Sequence, residues 1–316
     1  MTSVFHLRLD SNPGYRSDAI EKGFLENGLA YTGFDWMRHR YEYGAEKMRQ
    51  EVLSRAALIK PDIIFAHIQN SEALDEKTWD ELSKIAYTIN FTFDVRYVDE
   101  IKWMYDLAPK LGHTFFACME DVRNCNIRGI KNVSHSHSSC DMNVFKSQGK
   151  NLYAFDVAFC GNRYDNVDIN FAKAKERQEM IGALEKKYSS RFMAYGLGQK
   201  GGLIAPGVEA NVYNFSRISI NQNNFDLTEY TSDRLWRIMA SGSLCLAKYF
   251  SGIEKIFKKE VHLDWWNNFE ELTELVEFYL SDEKERKAVA ECGMNYVREN
   301  HSWTNRVENI LKTCGV

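Results

Sequence analysis

Short apolar runs and longer amphipathic stretches alternate along this chain, and the hydrophobic period alternates with them. "VFHLRL" (4–9) has the alternation of a strand, and the loop "DSNPGYRSD" leads to a helix from about Ser17. "LAYTGFDW" reads as a second strand and "GAEKMRQEVLSRAALIK" as a helix. "PDIIFAHIQ" is a strand, "LDEKTWDELSKIA" a helix and "TINFTFD" a strand. "DEIKWMYDLAPK" is a further helix and "HTFFACME" a further strand. Strands regularly separated by helices imply a parallel sheet covered on both faces.

The rhythm restarts after the polar stretch "FKSQGKN" (145–151). "AFDVAFCGN" is a strand, and 176–188 is a helix with Met180, Ile181, Leu184 and Tyr188 on one stripe. "RFMAYG" and "RISIN" are strands on either side of a short helix at 208–215. "SDRLWRIMASG" is a helix that ends before the strand "SLCLAKYF". Helices follow at 269–280, with Phe269, Leu272, Leu275, Val276 and Tyr279 on one face, and then at 283–299 and 304–312. The expectation is α/β, with two Rossmann-like doubly wound domains at 1–150 and 151–300, and ligands binding outside the carboxyl ends of the strands.

Length agrees with two domains, since 316 residues exceed the ordinary size of one. A net charge of −4 gives no global attraction to nucleic acid. No apolar run reaches the roughly 20 residues of a membrane helix, and "MTSVFHLRLD" is not a signal peptide. Seven scattered cysteines without a C-x-x-C pair suit a reducing compartment, so a cytoplasmic location is expected. Cys118, Cys125, His135, His137 and Cys140 lie close in sequence, but their spacing matches no common zinc pattern and no metal site is expected.

Three loops leave strand ends in the second half. "CGNRYDN" offers Gly161, Asn162 and Arg163, with a glycine that lets a ligand approach the backbone. "YGLGQKGGLIAPG" carries Gly196, Gly198, Gly201, Gly202 and Gly207, a mobile, sterically open loop suited to a phosphate or sugar. The third opens the helix at 233: Thr231 or Ser232 can cap it, Asp233 suits its dipole, and Gly242 can end it. Leu235, Ile238 and Met239 form its buried stripe. Arg237 can pair with Asp233 at i,i+4, whereas Arg234 has no such local explanation and is the stronger phosphate ligand.

An ordered series of segments in the second half resembles the CgeB-like (spore-maturation-like) and related group 1 glycosyltransferases of the GT-B fold. It runs from "DVAFCGN" through Arg177, "AYGLG", "SRISINQN" and "SDRLWRIMASGSLCLA" to "FEELTELVEFYLSDEKERKAVAECGMNYVRENHSW". The first half resembles the family in its strand–helix rhythm and in "FTFD". The resemblance implies two domains facing a cleft, a nucleotide sugar on the second, and a final helix (301–316) crossing back to the first. It implies that Gly161 and Asn162 line the cleft, that Tyr195, Gly196 and Gly198 approach the nucleotide, and that Asn221 lies beside the donor. The diphosphate would meet Ser232, Asp233, Arg234 and Arg237. Retaining relatives carry Glu-x7-Glu; here Glu229 fits the first position and Arg237 replaces the second.

On the acceptor side, His67 and Asp94 stand at strand ends as candidate bases. No Asp-x-Asp motif is present, so no metal clamp on the diphosphate is expected. The expected activity is metal-independent transfer of a sugar, with UDP the expected nucleotide, to an acceptor hydroxyl on a glycan, protein, small molecule or modified nucleic acid. No separate cofactor is implied. One alternative is glycosylation of a nucleic-acid base, for which "DWMRHRYEYG" would supply basic and aromatic groups. Another is a non-catalytic carbohydrate-binding or scaffold protein, which the arginine at 237 would suit.

Overall fold

The computed structural model describes residues 1–10, 18–68, 73–93, 102–149, 152–164 and 173–316. It divides into two compact units, Met1–Ser138 with Trp303–Val316, and Ser139–Ser302. The boundary expected at residue 150 therefore moves to Ser138. Cys140 and Phe145 explain the shift, because both are buried in the second unit's core beside Tyr213 and Val297. Arg298 adds hydrogen bonds to the carbonyls of Phe145 and Met142, at 3.3 and 3.2 Å.

In the first unit the order is β1 (Ser3–Arg8), α1 (Asp18–Glu26), β2 (Ala30–Asp35), α2 (Trp36–Tyr43), α3 (Ala45–Ile59), β3 (Ile63–Ala66), α4 (Glu76–Ile85) and β4 (Tyr87–Thr92). Then come α5 (Lys102–Leu107), β5 (His113–Phe116), α6 (Met119–Ile127) and β6 (Val133–His135). The sheet runs β2-β1-β3-β4-β5-β6, and every pairing is parallel. Helices cover the sheet, and β3 is buried along its whole length, which is why "IIFA" reads as an unbroken apolar run. One expectation changes here. The strand at "HTFFACME" stops at Phe116, because Met119 already starts α6 with Glu120 and Asp121 in its first turn. The "DWMRHRYEYG" stretch forms α2, capped by Asp35, whose carboxylate accepts from the Arg38 N–H at 3.0 Å. Its Arg38 side chain pairs with Glu42 at 2.9 Å.

His67 is 1 % exposed, so the structure places it in the core. Its Nδ1–H donates to the Phe91 carbonyl at 3.2 Å, and its ring stacks on Phe93 with centroids 4.4 Å apart. Phe65 and the equally buried His6 lie edge-on at 4.9 and 5.2 Å. Burial pushes the His67 pKa down to about 3 and holds His6 well below its usual value. Asp94 and Ser17 lie outside the described residues.

The second unit runs β7 (Phe155–Cys160), α7 (Ala174–Tyr188), β8 (Phe192–Tyr195), α8 (Pro206–Asn214), β9 (Ser216–Asn221), α9 (Asp233–Ala240) and β10 (Leu244–Lys248). It continues through α10 (Ile253–Ile256), β11 (Asp264–Trp266), α11 (Phe269–Ser281) and α12 (Glu283–Asn300). Its parallel sheet has the order β11-β10-β9-β7-β8. Alternate residues feed opposite layers. Val157, Phe159, Leu244 and Leu246 pack with α7 and α11, while Ala158, Cys160, Cys245 and Ala247 pack with α8 and α9. The connection from β7 to β8 goes to one side of β7, and the next strand, β9, lies on the other. The sheet therefore reverses direction between β7 and β9.

The last helix, α13 (Trp303–Cys314), belongs to the first unit and packs on α1. Trp303, Val307, Ile310 and Leu311 are buried there with Phe24 and Phe91. Gly23 permits the approach, since a Cβ on it would lie 2.9 Å from the Trp303 carbonyl oxygen. No described helix is long and apolar enough to cross a membrane. All seven cysteines are free, five of them buried.

The two buried imidazoles make stability depend on pH. Their folded pKa values lie below the unfolded value of about 6.5, so below that pH the unfolded chain binds protons that the folded chain excludes. Stability is complete above pH 6.5 and falls towards pH 4, with each imidazole costing up to about 1.4 kcal/mol per pH unit. Urea midpoints measured from pH 7.5 to pH 4.5 check this, and a flat profile between 6.5 and 5 contradicts it.

Candidate functional site

A doubly wound sheet opens a crevice at the carboxyl ends of the two strands where its order reverses. In the second unit those strands are β7 and β9, and the candidate residues gather there. Two loops are stitched together at this edge. The Gly161 N–H donates to the Tyr195 carbonyl at 2.7 Å, the Leu197 N–H donates to Asn162 Oδ1 at 3.0 Å, and the Arg163 N–H donates to the Leu197 carbonyl at 2.8 Å. The Arg163 guanidinium points to Glu185 of α7, at 3.3 Å.

The glycines are fixed by this closeness. A Cβ on Gly196 would lie 2.3 Å from the Gly161 carbonyl oxygen, and one on Gly161 would lie 2.8 Å from Arg234 Nη2. The turn after β8 is also more closed than its glycine content suggests. Gly196 N–H donates to Gly202 O, Gly201 N–H to Ala194 O and Gly202 N–H to Gln199 O, within 3.1 Å, and Gly198 adopts φ +76°. Gly207 falls inside α8.

At the start of α9, Ser232 occupies the N-cap position, but its side chain does not cap the helix. Its hydroxyl donates to Asn221 Oδ1 at 3.2 Å instead, and Thr231 accepts from Trp236 Nε1. The N-cap side chain therefore leaves the first-turn N–H groups uncovered at the positive end of the helix dipole.

Arg234 reaches back from that turn. Its Nε donates to the Cys160 carbonyl and its Nη1 to the Gln222 carbonyl at 3.0 Å, with Asn221 Oδ1 at 3.5 Å. Arg177 arrives from α7 and is fully buried. It donates to the same Gln222 carbonyl at 2.6 Å and to the Asn162 carbonyl at 3.3 Å. Both guanidinium carbons lie near the Phe159 ring, at 5.4 Å for Arg177 and 5.0 Å for Arg234. Among the described residues, neither arginine has a carboxylate within ion-pair distance. Burial, and then the Arg234 charge, push the Arg177 pKa down. Two cations held by neutral carbonyls form a centre without a carboxylate among the described residues.

Arg237, one turn deeper, is different. Its guanidinium pairs with Glu209 at 2.8 Å and with Asp233, and it lies over the Phe145 ring at 5.2 Å. Its side chain is 16 % exposed and that of Glu209 is 11 % exposed, so this is not the exposed i,i+4 pair that the spacing suggests. Glu229 has φ +58° and pairs with Lys255 at 2.6 Å, with its Cγ against Gly252.

Sequence reasoning left two residues of this site unassigned. Arg177 occupies the buried stripe of α7 with Met180, Ile181, Leu184 and Tyr188, and a basic residue on an apolar stripe was the available signal. Gln222, whose carbonyl both arginines share, carries no such signal. Among the described residues no group of three or more His, Cys, Asp or Glu is placed to hold a metal ion. Cys118 instead donates to Asp121 at 3.2 Å, and His135 packs edge-on against His137.

The two Rossmann-like α/β units, each built on a parallel sheet, match the GT-B fold. The chain belongs to the glycosyl transferase-like family, whose model matches residues 148–312, just over half of its length. Among solved structures, Anabaena Alr3699/HepE in complex with UDP and glucose is similar over 100% of both chains, with 11% identity and a TM-score of 0.70. Sucrose-phosphate synthase from Thermosynechococcus elongatus is similar over 99% of this chain and 98% of its own, at 9% identity and TM-score 0.66. Trehalose 6-phosphate synthase from Burkholderia multivorans has the same coverage, at 10% identity and TM-score 0.65. No curated protein matches the chain at a significant level.

Removing Arg237 leaves Glu209 and Asp233 facing each other in a largely buried site. Arg237→Ala therefore lowers stability by about 3–5 kcal/mol, the scale of a broken buried pair. Denaturant unfolding checks it, and a loss below about 1 kcal/mol, the value of an exposed pair, contradicts it.

Proposed function

We propose that this chain transfers a glycosyl unit from a nucleoside-diphosphate sugar, with UDP as the nucleotide, to an acceptor hydroxyl without a divalent metal. The observation that carries this reading is the centre of two arginines, with no carboxylate within ion-pair distance among the described residues, beside the start of α9, whose N-cap side chain makes no cap bond. A diphosphate supplies the negative charge that centre lacks, and backbone N–H groups there suit its oxygens. As the glycosidic bond to the diphosphate breaks, charge grows on the departing phosphate. Fixed donors aimed at that charge lower the barrier without reorganisation, the part a metal ion plays elsewhere.

The residues divide by task in this reading. Arg234 and the N–H groups of Asp233 and Arg234 take the diphosphate, and Arg177 adds positive potential from beneath. Gly161, Asn162, Tyr195, Gly196 and Gly198 shape the wall through which the nucleotide approaches, while Asn221 orients Ser232 and Arg234. Arg163 and Arg237 hold the frame through Glu185, Glu209 and Asp233. Glu229 lies on the loop before α9 and faces the transferred sugar. His67, buried and neutral, is left as a packing residue, so the acceptor's base lies elsewhere. The UDP and glucose bound by Alr3699/HepE, in a chain of the same fold, support the choice of nucleotide.

Losing one charge-assisted hydrogen bond costs about 1.5–3 kcal/mol, so Arg234→Ala weakens UDP binding roughly 10- to 150-fold. Calorimetric titration of UDP reads this directly, and an unchanged affinity refutes the phosphate site. Release of UDP from UDP-sugars continues in excess EDTA; activity that disappears there and returns with Mg²⁺ or Mn²⁺ contradicts metal independence.

A further inference from the structure

Ser232 has the backbone of a helix cap, with φ −71° and ψ 155°, yet its hydroxyl makes no cap bond. From that geometry an N-cap hydroxyl accepts from the N–H two or three residues on. The Leu235 N–H already donates to the Ser232 carbonyl at 3.2 Å, which leaves the Arg234 N–H as the natural target. A change of χ1 rotamer would aim the hydroxyl there. Instead it donates to Asn221 Oδ1 at 3.2 Å.

One buried amide connects the groups that hold this arrangement. Asn223 is 7 % exposed, and its Oδ1 accepts from the Ser232 N–H at 3.2 Å and from Asn221 Nδ2 at 3.4 Å. Its own Nδ2 donates to the Tyr230 carbonyl at 2.9 Å. Asn223 therefore fastens the 230–232 segment at both ends. It also turns the Asn221 oxygen towards Ser232 and towards Arg234, whose Nη1 lies 3.5 Å away. The bonds need an acceptor and a donor on one short side chain, which an amide supplies and a carboxylate does not.

Resting on the donor reading above, we propose that Asn223 is a positioning residue for the diphosphate. It acts through Asn221 and Ser232 and touches no ligand itself. By keeping the Ser232 hydroxyl on Asn221, it leaves the Arg234 N–H to a phosphate oxygen rather than to the chain's own cap. The serine and the diphosphate compete for one N–H, and the chain forgoes some helix stability to keep the site available.

Hydrogen exchange at the Arg234 amide, followed by NMR, and calorimetric titration of UDP test this on the unaltered chain, on Asn223→Ala, and on Asn223→Ala combined with Ser232→Ala. In the unaltered chain the amide exchanges freely, and UDP slows it. In Asn223→Ala it is slowed without UDP, and UDP affinity falls about 5- to 10-fold, the weight of a typical cap. Adding Ser232→Ala removes the competing hydroxyl and restores both readings. Mere loss of order in the loop would not be repaired by a second truncation beside it. Unchanged affinity in Asn223→Ala, a loss that Ser232→Ala does not restore, or an amide protected in the unaltered free chain overturns the proposal. Asn223→Asp keeps the acceptor oxygen and stands in if the alanine variants do not fold. Its Arg234 amide exchanges as freely as in the unaltered chain, and protection there overturns the proposal as well. Failure of the unaltered chain to bind UDP refutes the donor reading, while the exchange rates without UDP still show whether Asn223 keeps Ser232 off the cap.

Discussion

Two guanidinium groups share one carbonyl and one aromatic ring in the second unit, with no carboxylate at hand among the described residues. Like charges in a low-dielectric setting repel, and burial penalises each of them further. Carbonyl dipoles at the ends of β7 and β9 and the face of Phe159 offset part of that cost and leave a demand for an anion. Other local choices follow from it. Gly161 has no room for a Cβ because Arg234 passes there, and Gly196 has none because Gly161 does not move. Asn221 holds the Ser232 hydroxyl, so the N-cap side chain is turned away from the helix it would otherwise cap.

Arg234 and Arg237 lie three residues apart on one helix and behave oppositely, because partners rather than residue type decide the role of a charge. Glu209 and Asp233 neutralise Arg237 and make it part of the frame. Arg234 meets carbonyl oxygens and a side-chain amide, which orient it, with no carboxylate within ion-pair distance among the described residues. Position 237 therefore holds a largely buried structural ion pair, and Arg234 sits one turn nearer the helix start.

The α/β character and most elements were legible because buried parallel strands and amphipathic helices differ in hydrophobic period. What escaped was short or locally masked. β6 and β11 have three residues each, too few to show a period. In α2 only Trp36 is buried, so it has no apolar stripe. For the site, the glycines and Arg234 could be picked out from spacing and capping patterns. Arg177 stood out in the series of matching segments but carried no role, since its stripe reads as core, and Gln222 matters through a carbonyl that every residue possesses. His67 shows the converse error: an imidazole at a strand end looks available for proton transfer, but Phe65, Phe91 and Phe93 enclose it.

The most direct measurement of the central claim is a crystal structure of the protein with UDP. The account predicts the diphosphate at the first turn of α9, within hydrogen-bond distance of Arg234 and of the N–H groups of Asp233 or Arg234, with no metal ion on its oxygens. A diphosphate bound away from that turn, or one held through a divalent ion, would contradict it.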